Sequence, residues 1–162
     1  MQFFRRGKSG AWLVLTIADP SAPTAAEIAA GTKLSQALTT IAGFETTLNR
    51  VNTPVMAYQT ELQTDGPRTF ADASMTLMED DASGSDSDSV ARVAAYTALA
   101  EGTTGYIVFT PKTTTALAAA KAEVWPIKVG AKNRSWSLDV ETARYTVQLA
   151  ITGAEHKDVT IA

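Results

Sequence analysis

The chain has 162 residues, which suits one domain with a sizeable core, and its 45% hydrophobic and 19% charged content is typical of a globular protein. Its formal net charge of −3 argues against a dedicated nucleic-acid binder, which normally carries a basic surplus. The absence of cysteine excludes disulfides, thiolate catalysis and cysteine-ligated zinc. We therefore expect a single domain over residues 1–162.

The N-terminal segment has basic residues before a short apolar run, which is the outline of a secretory signal peptide. Thr16 interrupts that run, and Asp19-Pro20 follows it at once. We therefore favour an N-terminal arm over about residues 1–10 and a first strand over residues 11–18. No apolar stretch approaches the roughly 20 residues that a membrane span requires, so no membrane contact is predicted.

Residues 23–31 carry the start and stop signals of a short helix. Thr24 precedes Glu27 by three positions, which is the spacing of a capping box, and Gly31 can end the helix. One or two helical turns are expected here.

The region that follows is predicted to hold two strands separated by a long loop. The strands fall at residues 39–48 and 69–78. Between them, residues 50–68 show no clear hydrophobic periodicity. Long loops of compact domains are often functional or mobile, so this segment is a candidate for function.

An acidic, serine-rich run, MEDDASGSDSDSVARV, occupies residues 78–93 and suggests a calcium loop. The EF-hand pattern requires oxygen ligands at fixed positions and a glycine at the sixth. A register beginning at Asp80 puts Ala82 at a ligand position, and one beginning at Asp81 puts Asp86 where glycine is needed. Both registers fail. A looser calcium site stays open, but we favour a solvated connector leading into a helix.

That helix is predicted over about residues 89–101. Asp86 or Ser87 can cap it, and Asp88 in the first turn suits the positive end of the helix dipole. One of its sides carries four alanines, and only two of its side chains are charged. Either a neighbour covers the alanine side, or this is an Ala-rich surface helix; both interpretations stay open.

Three strands are predicted towards the C-terminus. Residues 105–110 form a short apolar run and fit a strand buried on both faces. Residues 122–129 are β-branched and aromatic, but Pro126 cannot donate to a ladder, so an edge or a bulge is expected there. A turn at residues 132–136 then leads to residues 144–152, where Tyr, Val, Leu and Ile alternate with polar or small residues. That alternation predicts one face on a core and the other polar.

The residues offer no catalytic constellation. His156 is the only histidine and lies among charges, so we interpret it as an exposed loop residue, which leaves no Ser-His-Asp triad. GKS at residues 7–9 lacks the first glycine of a phosphate-binding loop. The three tryptophans could form a ligand-binding surface, although burial is their commoner fate. FFRRGK at residues 3–8 could contact DNA, but an ordered or docking arm is favoured. We predict no enzyme activity, no cofactor, no metal site, and a structural or interaction role.

Several blocks of the sequence, in order, resemble one known family. They are residues 16–44, 102–111, 121–136 and 143–152, and the most specific pieces are IADPSAPT-AEI-AGT and AEVWP followed by NRSW. Together they resemble the major tail tube protein of long, non-contractile-tailed bacteriophages (siphophages), in the version common in phages of high-GC Gram-positive hosts. The departure lies at residues 79–89, where the family passes from strand to helix with less serine and acid.

The resemblance implies a mainly β subunit with one flanking α-helix, a sandwich or barrel-like fold of two packed sheets. Six copies would close into a ring, and rings would stack into a tube through which double-stranded genomic DNA passes during ejection without specific binding. It also implies contacts with tape measure, tail terminator and distal tail proteins, a place in the virion tail, assembly in the host cytoplasm, and no catalytic residues.

By the same analogy, terminal arms and extended loops make the contacts between subunits and rings. The candidate contact residues are Phe3, Phe4, Arg5, Arg6, Thr53, Pro54, Val55, Met56 and Tyr58. A basic lumen would hold DNA electrostatically, so an uncharged polar strand face is expected to line it. The candidates for that face are Thr146, Gln148 and Thr152.

A second hypothesis comes from another class of protein. In it the chain is a monomeric β-sandwich binding module, such as an adhesin domain of a phage tail or a cell surface. The three tryptophans would then form its ligand patch, and the protein would not polymerise.

Overall fold

A computed structural model describes residues 5–57, 59–138 and 142–162. Three of the candidate contact residues, Phe3, Phe4 and Tyr58, lie outside this part of the chain. The elements in chain order are β1 (Gly10–Val14), α1 (Ala25–Ala30), β2 (Thr32–Lys33), β3 (Leu38–Ala42), β4 (Thr46–Thr53), β5 (Leu62–Phe70), β6 (Ala73–Met78), α2 (Ser87–Ala98), β7 (Thr104–Thr110), β8 (Lys121–Arg134), β9 (Arg144–Ile151) and β10 (His156–Thr160).

The strands form one large antiparallel sheet and one separate hairpin. The large sheet has the order β2-β1-β7-β8-β9-β6-β3, with β10 beside the first half of β8, and the hairpin consists of β4 and β5. The predicted mainly β class with two sheets is confirmed. The flanking helix is present as α2, and α1 is a second, six-residue helix.

The large sheet buries side chains on both faces around β1, β7 and β8. The larger core lies between β6, β8, β9 and helix α2, and a smaller core lies under helix α1. Neighbouring residues such as Ile107 and Val108 enter opposite cores because successive side chains of a strand alternate in direction. This is why residues 105–110 read as a continuous apolar run.

Both helices begin at the predicted caps. Thr24 and Glu27 form the expected capping box before α1, and Gly31 follows its last residue. In α2 the Asp86 carboxylate accepts a hydrogen bond from the Ser89 N–H at 3.1 Å, and its hydrogen bonds with Ser89 lower the pKa of Asp86. The acidic connector thus serves as a helix start.

The alanine side of α2 packs on the subunit's own sheet. Ala95 and Leu99 are buried in the larger core, whereas Val90 is 57% exposed. On the alanine side predicted from the sequence, Ala95 is buried and Ala91 and Ala98 are half-buried, whereas Ala94 is exposed, so the subunit's own sheet covers that side in part. Within the described ranges no group of three or more Asp, Glu or His could hold a metal ion, and no helix is long and apolar enough to cross a membrane.

Two of the predicted strands are each split by a bend. Residues 39–48 divide into β3 and β4 at Gly43, which has a φ of +77°. Residues 69–78 divide into β5 and β6 next to Asp72. A Cβ on Gly43 would collide with the Asp72 backbone carbonyl, so the two bends are packed directly on each other.

Strand β8 differs from the prediction at Pro126 and at residues 132–136. It is a central strand rather than an edge, and its pairing with β7 passes Pro126 without a register shift, so that ladder has no bulge there. The strand continues to Arg134, so the turn predicted at residues 132–136 is wrong. Side chains hold the extension: the Lys132 Nζ donates to the Tyr96 carbonyl at 3.0 Å, and the Arg134 Nε donates to Glu79 at 2.8 Å.

Pro126 is tolerated in this central strand because of where its missing N–H points. Its carbonyl accepts from the Thr152 N–H at 3.0 Å, and the N–H and C=O of one strand residue point to the same side. On that side of β8, β10 pairs with residues up to Val124 and β9 pairs with residues from Ile127 onwards. The position without an N–H therefore lies in the gap between these two ladders, where no strand residue is paired with it.

His156 was expected in an exposed loop. It is instead half-buried and is the first residue of β10, where it pairs with Val124 of β8.

The two bends give a stability prediction. We expect Gly43→Ala to lower the free energy of unfolding by roughly 2 kcal/mol or more, because a left-handed backbone costs about 1–2 kcal/mol and the clash with Asp72 adds to it. Gly102→Ala is the matched control, since Gly102 has a φ of +84° but open space around it. Urea unfolding followed by tryptophan fluorescence would measure both, and equal losses would contradict the packing of the bends.

Candidate assembly site

The hairpin of β4 and β5 stands apart from the rest of the subunit, and we call residues 46–70 the arm. Neither strand packs substantially on another element of the described chain. Its strands have eight and nine residues, which makes it about 30 Å long. The sequence predicts a loop over residues 50–68, but most of this segment forms the two strands of the arm. The same segment is the one that the sequence indicates as a candidate for function.

The arm was missed because both of its faces contact solvent. Every residue of β4 except Thr46, and every residue of β5 except Gly66, is exposed. Without a buried face there is no selection for alternating hydrophobicity, which is the primary signal of a strand. Composition was the remaining signal, since half of the residues of β4 are Thr or Val.

The outer half of the arm has one polar and one apolar face. Opposite residues share a face, so Asn52 and Gln63 lie on one side with Arg50, whose Nη1 donates to the Gln63 Oε1 at 3.2 Å. The neighbouring pairs in the ladder, Val51 with Thr64 and Leu62 with Thr53, lie on the other side, where Val51 and Leu62 are 52% and 48% exposed. We call this second side the apolar arm face.

The tip of the arm holds most of the described contact candidates from the long loop. Thr53 is the last residue of β4, and Pro54, Val55 and Met56 belong to the connection that follows. Met56 is fully exposed, while Val55 is half-buried. The structure therefore brings these four residues together at one end of the arm, and their role in contacts stays a prediction.

The described part of the N-terminal arm lies at a different place. Arg5 and Arg6 are exposed and line a cleft of about 870 Å³ next to β1 and β3. The apolar lining of this cleft includes Ile41, Phe44 and Phe109. Because Phe44 immediately precedes the base of the arm, the two groups of contact candidates are separated by the length of the hairpin.

The lumen candidates lie on an outer face of the large sheet that we call the polar face. Its rows run across β3, β6 and β9: Thr40, Thr76 and Thr146 form one row, and Ala42, Ser74 and Gln148 form the next. The Thr76 and Thr146 hydroxyls are 3.2 Å apart. The opposite sides of β6 and β9 are buried in the larger core. Neither row contains a charged side chain.

Charged residues flank the polar face. Arg144 lies opposite Met78 and Lys128 lies opposite Ala150 in the same ladders. Thr152 is less central than Thr146 and Gln148 because it follows the end of β9. The strand that carries these residues is an inner strand of the sheet, between β8 and β6.

The base of the arm is attached to the sheet by aromatic side chains. Phe44 precedes the hairpin and Phe70 is the last residue of β5. Both contact Trp125 of β8 edge-to-face, with ring centroids 5.5 and 6.5 Å from it. Phe44 also contacts Phe109 at 5.0 Å. Contacts of this kind contribute about 0.5–1.5 kcal/mol beyond the burial of area.

Polar contacts complete the attachment on the side of the β9–β10 connection. The Thr46 hydroxyl donates to the Glu155 carboxylate at 2.7 Å, and the Lys157 Nζ lies 3.7 Å from the same oxygen. Burial of Glu155 opposes its ionisation, but the hydrogen bond from Thr46 and the nearby Lys157 and Arg68 outweigh it, so the pKa of Glu155 lies below its usual value. Lys157 also lies over the Trp125 ring at 5.3 Å. We call these side chains, with Phe44 and Phe70, the arm-base cluster.

Sequence comparison identifies the family of this subunit. The model of the family described as phage tail tube protein matches residues 1–162. The chain belongs to the phage tail tube protein family. The resemblance read from the sequence blocks is thereby confirmed at the level of the family, and the tail tube protein is a structural component of a phage-like tail. No curated protein sequence matches the chain.

Solved structures of tail assemblies share the fold of this tail tube protein. The tail of an empty GTA particle with C6 symmetry matches at 14% identity with a TM-score of 0.53, covering 96% of this chain and 98% of that one. The cap that terminates the tube of the anti-feeding prophage matches at 10% identity with a TM-score of 0.55, covering 97% and 93%. The six-fold symmetrised baseplate of the same prophage matches at 9% identity with a TM-score of 0.51, covering 90% and 87%.

Proposed function

We propose that this tail tube protein assembles as hexameric rings that stack into the tube of a long, non-contractile tail, and that the tube conducts double-stranded genomic DNA during ejection. The observation that carries the proposal is the arm, a long hairpin with an apolar face that has no partner in the described part of its own subunit. The six-fold symmetry of two assemblies with this fold supports rings of six.

The arm requires a partner surface for physical reasons. An isolated two-stranded hairpin is marginally stable in water, and burying a Val or Leu side chain contributes about 1.5–3 kcal/mol. Contact of the apolar arm face with a neighbouring copy would supply that burial. Since the arm and the surface that receives it are different parts of the subunit, the contact is heterologous, and such contacts generate rings and filaments.

The polar face has the chemistry expected of a DNA conduit. DNA that must slide should meet no array of cations, because each neutralised phosphate releases counterions and strengthens binding. The rows around Thr146 and Gln148 are uncharged, so six copies facing inwards would form a polar lining with the cations Arg144 and Lys128 only at its margins. We propose that these two residues face the lumen, with Thr152 near the margin of the lining.

The ends of such a stack are the proposed sites for other tail proteins. A stack built from head-to-tail contacts leaves free arms at one end and free receiving surfaces at the other. Tail terminator and distal tail proteins would bind these two ends, and the tape measure protein is a further proposed partner. Assembly would take place in the host cytoplasm and leave the subunit in the virion tail.

The monomeric binding module has less support. Its ligand patch would need all three tryptophans at the surface, but Trp12 and Trp125 are buried in different cores. Trp136 alone is exposed, at 85%. The three tryptophans therefore do not form a shared surface patch, which is the feature that the binding-module hypothesis requires.

Substitutions on the two arm faces test the role of the arm. We expect the double variant Val51→Thr, Leu62→Thr to raise the critical concentration for tube formation at least tenfold, since the lost apolar burial exceeds about 1.4 kcal/mol. The matched control Asn52→Thr, Gln63→Thr changes the polar face of the same two strand pairs and should assemble close to wild type. Light scattering and sedimentation would give the critical concentrations, and equal assembly of both variants would refute the proposed contact.

Cysteine labelling tests the lumen. The chain contains no cysteine, so Gln148→Cys provides a single thiol. In assembled tubes we expect this thiol to react with a small maleimide but not with a bulky polyethylene glycol maleimide, because the lumen opens only at the tube ends. The same variant as dispersed subunits should react with both reagents. Reaction of intact tubes with the bulky reagent would place Gln148 outside the lumen.

A further inference from the structure

We propose that Glu155 is a positioning residue that sets the direction of the arm relative to the large sheet, acting through the Thr46 hydroxyl. Its consequence for tubes rests on the proposed function, but the positioning itself takes place within one subunit.

The arm needs a fixed base because little else holds it. It is connected to β3 and β6 only through residues 43–45 and 71–72, and its strands lack substantial contacts with other elements of the described chain. The edge-to-face contacts of Phe44 and Phe70 with Trp125 attach the base, with ring centroids 5.5 and 6.5 Å apart. A hydrogen bond weakens steeply when its geometry is bent.

The Glu155 carboxylate is placed to supply that directional contact. Its side chain is only 7% exposed, and it lies in the short connection between β9 and β10 rather than in the arm. It accepts from Thr46 of β4 at 2.7 Å and is close enough to Arg68 of β5 for that charge to favour its ionised form. The carboxylate thus joins β4 directly to the β9–β10 connection.

The body in turn holds the carboxylate. Lys157 lies 3.7 Å from the Glu155 oxygen and at the same time 5.3 Å above the Trp125 ring. A charged acceptor strengthens a hydrogen bond roughly twofold over a neutral one. The arm-base cluster therefore links β4, β5, the β9–β10 connection and the first half of β8.

Small changes at the base would have large effects at the tip. With an arm about 30 Å long, a rotation of about 10° would move the tip by about 5 Å, more than a close-packed contact tolerates. An arm that is free to point in many directions would also lose conformational entropy when assembly fixes it in one of them. A positioned arm avoids that loss.

Spin-label distances in dispersed subunits test the proposal. In the cysteine-free chain, labels at Asn52→Cys on the arm and Ala118→Cys in an exposed connection of the body report the direction of the arm. We expect one narrow distance distribution in this parent protein and one at least twice as wide with Thr46→Val, which removes the hydroxyl at nearly constant volume.

Two further variants separate the hydroxyl from general effects on the strand. Thr46→Ser keeps the hydroxyl and should restore the narrow distribution. Thr47→Val changes the next, exposed residue and should leave the distribution unchanged. A narrow distribution with Thr46→Val, a wide one with Thr46→Ser, or a wide one in the parent protein would each overturn the proposal.

Glu155→Gln gives a second measurement, made at the acceptor of the hydrogen bond instead of at its donor. It keeps an acceptor for the hydroxyl but loses the charge, so we expect a width between those of the parent and Thr46→Val. A width equal to the parent's would show that the charge has no part in positioning. Because every distance is measured in single subunits, failure here would be distinguishable from failure to form tubes.

Discussion

Trp125 is the side chain on which the body and the arm both depend. It lies in the first half of β8, is fully buried in the larger core, and belongs to the strand that pairs with β7, β9 and β10. Phe44 and Phe70 reach it from the base of the hairpin, and Lys157 reaches it from β10. The sheet can therefore carry a projecting hairpin without burying either of its strands, because attachment is concentrated at the base.

This arrangement explains what could be read from the sequence. Residues 144–152 were recognisable because Tyr145, Val147 and Leu149 face a core while their neighbours do not. The capping box of α1 and the N-cap of α2 were recognisable because they are local, and Thr24 and Asp86 need only the next three residues to act.

The parts that could not be read depend on partners distant in sequence or absent from the subunit. The arm has no buried face in its own chain, so its strands carry no alternation. The extension of β8 depends on Tyr96, Glu101 and Glu79, which approach from elsewhere in the fold. β10 is short and polar, and its register with β8 shifts at a bulge between His156 and Val159. It therefore shows no regular alternation of apolar and polar residues. The contact and lumen residues stay predictions because their partners are other subunits.

We propose that, in one assembly, the apolar arm face packs on a neighbouring subunit and the polar face lines the lumen. Cryo-electron microscopy of the concentrated protein tests it most directly. The account predicts tubes of six-fold rings in which Val51 and Leu62 pack on another copy while Thr146 and Gln148 line the bore. A strict monomer at high concentration, or tubes in which the arm lies free in solvent, would contradict it.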